Sequence, residues 1–247
     1  RLVTLVTVSL LLVLLASVLP TCGTTEPQVV KETVKETVVV EKEVVVEKVV
    51  TATAMPKEAT QLVVAQGQDI NILDPHKMQA TVDMAIWLSV FNGFTVFDAT
   101  MTDPQPGMAE SWETPDETTY IFHLRKDAKW HSGRAFTADD VLFNYDRILE
   151  IAGKGRLAGY MSDVDSMEKI DDNTIQVNLK APSAVFLMYT PYFVFVDPET
   201  AAEIETNPIG TGPYIFKEWI PNDKVTLAKN PDYFDQDTPR PDELIIK

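Results

Sequence analysis

Residues 107–145 read GMAESWETPDETTYIFHLRKDAKWHSGRAFTADDVLFNY, and the fold class follows from them. Aromatic and β-branched side chains alternate through Thr119, Tyr120, Ile121, Phe122, His123 and Leu124, as in a half-buried strand. Pro115 and Asp116 punctuate the chain before it, so Ser111–Glu113 can pair with Thr119–Leu124 as a hairpin. Thr137 stands three residues ahead of Asp140, a capping-box start with Asp in place of Glu or Gln. Val141, Leu142, Tyr145, Ile148 and Leu149 then fall on one helical face. Strand, turn, strand, loop and capped helix predict a mixed α/β fold.

The flanks carry the same grammar. Upstream, Leu62–Ala65 reads as a buried strand, and a loop broken by Gly67 and Pro75 follows. Val82, Ala85, Ile86, Ser89 and Val90 mark a helix that Asn92 and Gly93 end, the glycine taking a left-handed cap. Phe94–Asp98 is a further strand. Downstream, Gly153, Gly155 and Gly159 loosen the chain around Tyr160, and Thr174–Leu179 alternates as a strand after the turn at Asp171–Asn173. The run LMYTPYFVFV is broken by Pro191. Tyr214–Ile220 and Lys224–Lys229 form a hairpin joined at Pro221, Asn222 and Asp223, and Gly210 and Gly212 allow a backbone turn around Thr211.

With 247 residues and 45% hydrophobic content, the chain can build one or two ordinary cores, which excludes disorder throughout. The net charge is −16, and about −15 of it falls beyond residue 59. Such a surface repels a phosphate backbone, so nucleic acid is excluded as a partner. The single cysteine, Cys22, rules out an internal disulfide and a Cys-based zinc site.

Leu2–Leu19 is an uncharged apolar run closed by Pro20, Thr21 and Cys22, the core of an export signal or a minimal membrane anchor. Residues 23–60 are low in complexity, with KETVKET and then VVVEKEVVVEK. A period of six advances a helix by ~240° per copy, so no apolar stripe forms and a solvated tether is expected. At ~3.3 Å per residue it reaches on the order of 120 Å extended, and roughly 35 Å as a coil. The chain starts at Arg1 and stops after the strand-like Leu244–Ile246, so it reads as a fragment at both ends.

Residues for covalent chemistry are missing. His76, His123 and His131 are the only histidines, and none pair at the i, i+4 spacing of a helical metal site. His131 and Ser132 are adjacent, so on an extended chain they face opposite sides and cannot act as base and nucleophile. Asp139 and Asp140 open a helix, where the dipole favours negative charge. No phosphate-binding glycine loop is present. No enzyme activity, metal or cofactor is expected.

The runs AESW, TYIFHLRKDAKWHSG and FTADDVLFNY, with LDPH and Lys77 upstream and IGTGPYIFKEW and KVTLAKNPDYF downstream, resemble the bacterial extracellular solute-binding proteins of family 5. These are receptors of ABC importers for oligopeptides, dipeptides and nickel, and the similarity is greatest to the oligopeptide-binding branch. The resemblance covers residues 61–247. It implies a two-lobed, type II periplasmic-binding-protein-like fold, of which this chain carries the first lobe (61–98 and 206–247) and an inserted small α/β domain (99–205). Residues 1–22 are then the signal peptide or anchor and 23–60 the tether.

What the resemblance implies about binding falls on few residues. Gln79, Ala80 and Thr81, after the Leu73-Asp74-Pro75 turn, correspond to cleft-lining positions that pair with an extended peptide through backbone groups; the plainer reading is a helix entry capped by Thr81. Tyr160 corresponds to an aromatic residue that faces the ligand, against the plainer reading of a surface-loop tyrosine. Thr211, Gly212 and Tyr214 complete the candidate set. Cys22 resembles the lipid-acceptor cysteine of bacterial lipoproteins; Leu19 fits that pattern, Pro20 and Thr21 depart from it, and an uncleaved anchor is the alternative. The implied protein is a monomer outside the cytoplasmic membrane, tethered to its outer face, that hands oligopeptides to an ABC permease. Alternatives are a peptide sensor that signals without transport, a receptor for a nickel complex, sugar or haem, and a hydrolase of similar architecture.

Overall fold

The computed structural model describes residues 59–98, 100–151 and 157–247, all within the unit Lys57–Lys247. The apolar run, Cys22, the repeats up to residue 58, and Gly153 and Gly155 lie outside the described residues. In chain order the strands are β1 (Gln61–Val64), β2 (Thr95–Phe97), β3 (Pro104–Pro106), β4 (Ala109–Glu113), β5 (Thr119–Leu124), β6 (Val164–Asp171), β7 (Thr174–Leu179), β8 (Tyr214–Ile220), β9 (Lys224–Lys229) and β10 (Glu243–Ile246). The helices are α1 (Met84–Val90), α2 (Ala138–Glu150), α3 (Leu157–Tyr160) and α4 (Phe186–Tyr189).

The hairpin expected around Pro115 forms, with Ser111 opposite His123 and Glu113 opposite Ile121. It belongs to an antiparallel sheet ordered β4-β5-β7-β6, in which β5 buries Phe122 and Leu124 and β7 buries Ile175, Val177 and Leu179. Helix α2 crosses β6 and β7, its start fixed by the Thr137–Asp140 capping box. Its buried face differs from the expected stripe: Ala138, Asp140, Val141, Asn144 and Ile148 are inside, while Leu149 is 49% exposed. Buried Asn144 replaces an apolar residue because its amide bonds the Val196 backbone on both sides, accepting from the N–H at 2.7 Å and donating to the carbonyl at 3.0 Å.

A second sheet is ordered β1-β10-β9-β8, with β1 parallel to β10 and the other pairs antiparallel. The β8–β9 hairpin closes as expected, Asn222 taking φ 61° at its tip. Strand β1 departs from expectation. All four residues are exposed, because it is an edge strand with no strand on its other side among the described residues. Strands β2 and β3 form a separate ribbon, Thr95 opposite Pro106.

One core cluster runs through both sheets. Phe94 stacks on Phe122 at 4.4 Å and meets Phe195 edge-on at 5.1 Å. Phe193–Val196, read as part of an aromatic run, are buried without forming a strand. Two expectations about glycine are corrected. Helix α1 ends through Phe91, in extended conformation, and Gly93 has no positive φ; a Cβ there would meet the Thr190 carbonyl oxygen at 2.4 Å, so close approach requires the glycine. Gly210 and Gly212 likewise lack positive φ and lie against the Val90 backbone.

Candidate functional site

The turn before the candidate ligand-facing run is tied down by Asp74 and His76. Asp74 N-caps a 3-10 turn, Pro75–Lys77, its Oδ1 accepting from the His76 N–H at 3.0 Å with proline in the position that has no N–H to satisfy. The Asp74 carboxylate is fully buried and takes both arms of Arg147, at 3.1 and 2.7 Å. Arg147 also donates to His76 Nδ1 at 2.7 Å, and His76 Nε2 meets the Val194 carbonyl at 3.0 Å. Only the neutral imidazole with its proton on Nε2 satisfies both contacts. Burial pushes the His76 imidazole down to about 4, the Val194 carbonyl pulls it up, and the Arg147 charge adds to the lowering. For Asp74, burial raises the carboxyl but the Arg147 bonds and charge outweigh it, holding it below the ordinary value. Lys77 adds an outer arm to Asp74 at 3.4 Å and to Glu205 at 2.9 Å.

From this turn the chain emerges as Gln79 and Ala80, the latter extended at φ −107° and ψ 146°. Gln79 and Thr81 are exposed and Ala80 is half-buried. Thr81 begins a 3-10 turn, Thr81–Asp83, that runs into α1; the position before it, Ala80, is its cap and supplies no side-chain bond, so Thr81 is not the expected cap. Downstream, Asp83 Oδ1 accepts from the Asn71 N–H at 2.7 Å and closes the loop 71–83 on itself. Asp83 Oδ2 and Trp87 Nε1, one helical turn apart, are buried without a hydrogen-bond partner among the described residues.

Tyr160 belongs to an aromatic ladder rather than to a surface loop. It stacks on Tyr189 at 5.1 Å and Tyr192 at 4.8 Å, and Tyr192 stacks on Trp87 of α1 at 6.2 Å and meets Phe97 at 5.1 Å. The ladder therefore reaches the helix that the run Gln79–Thr81 enters.

Thr211, Gly212 and Tyr214 sit elsewhere. Gly212 N–H donates to the Val90 carbonyl at 2.9 Å, which puts it at the far end of α1, roughly 14 Å of helix from Thr81. The Gly212 carbonyl accepts from His131 Nε2 at 2.9 Å and Asn230 Nδ2 at 3.0 Å. Thr211 is buried, its carbonyl bound by Asn92, and the Tyr214 hydroxyl donates to the Pro241 carbonyl at 3.2 Å. These residues form a packing joint, and the structure does not bring them to Gln79–Thr81. His131 and Ser132 go separate ways, Ser132 to Asp197 at 3.1 Å.

A cleft of about 800 Å³ opens at that same far end of α1. Leu88, Phe91, Phe97, Met101, Tyr233 and Phe234 line it, with Arg125 4.2 Å over the Phe234 ring and Arg240 4.8 Å over Tyr233. None of the seven sequence-derived binding residues lines it. Tyr233 and Phe234 belong to the KVTLAKNPDYF run, which the sequence gives only as part of the family resemblance and not as a cleft. Among the described residues no group of three or more His, Cys, Asp or Glu is placed to hold a metal ion, and no helix is long and apolar enough to cross a membrane.

Comparison with known proteins bears on the whole arrangement. Residues 103–247 match the family model "Bacterial extracellular solute-binding proteins, family 5 Middle". The periplasmic oligopeptide-binding protein OppA of Escherichia coli is 30% identical over 207 residues, covering 72% of this chain and 37% of that protein. This chain thus spans little more than a third of that relative's length. Among solved structures, Haemophilus influenzae OppA in complex with the peptide RPPGFSPFR superposes with a TM-score of 0.70 at 26% identity, over 77% of this chain and 42% of the other. NikZ from Campylobacter jejuni in complex with Ni(L-His) gives 0.67 at 27%, over 76% and 38%.

Proposed function

Because the chain belongs to the bacterial extracellular solute-binding proteins of family 5, we propose that the intact protein captures oligopeptides outside the cytoplasmic membrane and presents them to the permease of an ABC importer. The observation that carries this reading is the run Gln79–Thr81, in which exposed Gln79 and Thr81 flank a half-buried, extended Ala80 where the chain leaves its anchored turn and before the 3-10 turn begins, a place where a peptide can lie along the chain. Recognition through the backbone tolerates many side chains, which suits a receptor for peptides of mixed sequence. No covalent step is involved. Tyr160 would act through the ladder, which reaches α1, the helix the run enters, by way of Tyr192 and Trp87.

In this reading residues 61–98 and 206–247 form the first lobe, 99–205 the inserted domain, and a second lobe elsewhere in the intact protein closes over the peptide. Cys22 or the apolar run before it tethers the monomer to the outer face of the membrane through the 23–60 segment. Native mass spectrometry of the full-length protein tests the reading. Co-purified short peptides are the expected result. A protein that ignores a peptide library and takes up a nickel–histidine chelate, the ligand bound in NikZ from Campylobacter jejuni, would move it to the non-peptide receptors.

A further inference from the structure

We infer that Arg147 is a positioning residue for ligand capture: acting through Asp74 and His76, it sets where the run Gln79–Thr81 stands and so controls the affinity of a site it does not touch. The inference rests on the proposed reading of that run as the peptide-facing segment.

Arg147 lies 73 residues from Asp74, in the last turn of α2, and its side chain is 13% exposed. It bridges two acceptors of the same turn, the Asp74 carboxylate and the His76 ring, which Val194 holds from the other side. The turn from which the run projects is thus pinned to α2 and to the buried segment Phe193–Val196. Lys77, Met78, which is 2% exposed, and Gln79 are all that separate this clamp from Ala80, within ~13 Å of chain from His76. The downstream post, Asp83 on Asn71, closes loop 71–83 without fixing it to another element. Upstream registration therefore rests on the bonds of Arg147 to Asp74 and His76, together with the His76–Val194 and Lys77–Glu205 contacts. Truncating Arg147 leaves a fully buried carboxylate whose remaining cation among the described residues is Lys77 at 3.4 Å, and the turn must open to hydrate it. A site built from backbone groups loses affinity when its supporting residues let it shift.

The test uses the full-length protein, Arg147→Met and Arg147→Lys, with Arg134→Met as a control. Arg134 makes a comparable part-buried cluster with Asp140 and Asp197 in the same region and does not contact loop 71–83. Isothermal titration with alanine peptides of three to five residues reads affinity, thermal denaturation reads stability, and hydrogen exchange of the ligand-free protein reads order at 78–83. Both methionine variants should lower the melting point. Only Arg147→Met should weaken peptide binding, by about tenfold or more, and speed exchange at 78–83; Arg147→Lys, which keeps the charge but loses the fork, should fall between. If Arg147→Met does not fold, the lysine variant and its exchange pattern decide. Equal affinity and exchange in wild type and Arg147 variants would overturn the inference and leave the receptor reading intact. A wild-type protein that binds no peptide would overturn that reading, and the inference with it.

Discussion

Gly210→Ala is the most demanding substitution the structure offers outside the hydrophobic core. An added Cβ would stand 2.0 Å from the Val90 carbonyl oxygen and 2.8 Å from both Val90 C and Phe91 Cδ1. Relief requires the segment 210–212 to back away from α1 by more than ~1 Å, since carbon and oxygen pack at ~3.5 Å. That motion strains three bonds: Gly212 N–H to Val90 O at 2.9 Å, His131 N–H to Gly210 O at 2.8 Å, and Gly210 N–H to His131 Nδ1 at 3.3 Å. Each contributes about 1 kcal/mol net, and displacing buried Phe91 adds about 1–3 kcal/mol, so the loss should be about 3–5 kcal/mol. Total stabilities run ~5–15 kcal/mol, so the variant should show a large drop in urea midpoint. Gly67→Ala is the control, because nothing lies within 4 Å of its added Cβ, and its change should stay within ~0.5 kcal/mol. Gly133→Ala separates the two mechanisms: space is open there, but φ is +87°, so a cost of about 1 kcal/mol should come from the backbone alone. Urea unfolding of the three variants in the intact protein provides the comparison. Should Gly210→Ala unfold with the wild-type midpoint, the close approach of the 210–212 segment to α1 would be refuted.

Acid should destabilise the protein before its carboxylates titrate. His76 has a folded pKa near 4 against an ordinary 6.5, so between those values the unfolded chain holds the extra proton. Its contribution is complete above pH ~6.5, declines as pH falls toward 4, and amounts to about 3 kcal/mol over that window; burial pushes His131 down to about 4 as well and adds a loss of the same sign, so urea unfolding at pH 7.5 and 4.5 reads the two together, and an unchanged stability would contradict both buried neutral imidazoles. Asn144→Ala strands the Val196 N–H and C=O in the core and should cost about 2–4 kcal/mol by the same assay, well above an exposed Asn→Ala. Thr81→Pro should spare the fold, because Thr81 opens its 3-10 turn and Ala80 before it is already extended, while removing one backbone donor from the proposed peptide-facing run. Peptide affinity measured by calorimetry should fall with the melting point unchanged, and retained affinity would count against backbone pairing at that position.

Why the stretch 107–145 was legible, and the binding run was not, comes down to which interactions are local. The β4–β5 hairpin and the α2 cap depend on side chains within a few residues, so turn punctuation, alternation and the Thr137–Asp140 pair were enough to place them. Strand β1 looked buried because three apolar residues in a row are ambiguous between a covered strand and an edge, and only sheet order separates the two. The glycines at 93, 210 and 212 read as turn formers for a similar reason. A sequence shows that a Cβ is missing, but not whether φ or a distant carbonyl demands it.

The same limit explains the candidate site. Resemblance grouped Gln79–Thr81 with Thr211–Tyr214, yet α1 stands between them, and the second group is spent on holding the helix end. Their shared feature is that both are fastened to α1, one group serving packing at its far end and the other standing at its entry. What no local pattern could reveal is Arg147. It sits at a position of α2 that reads as a solvent-facing charge, and its role comes from a turn 73 residues away. A buried carboxylate in an Asp-Pro turn does demand a cation, but the sequence has Asp-Pro at 74–75, 103–104 and 197–198 and does not show that Asp74 is buried. Which of the chain's arginines meets it is decided only by the packing of α2 against that turn.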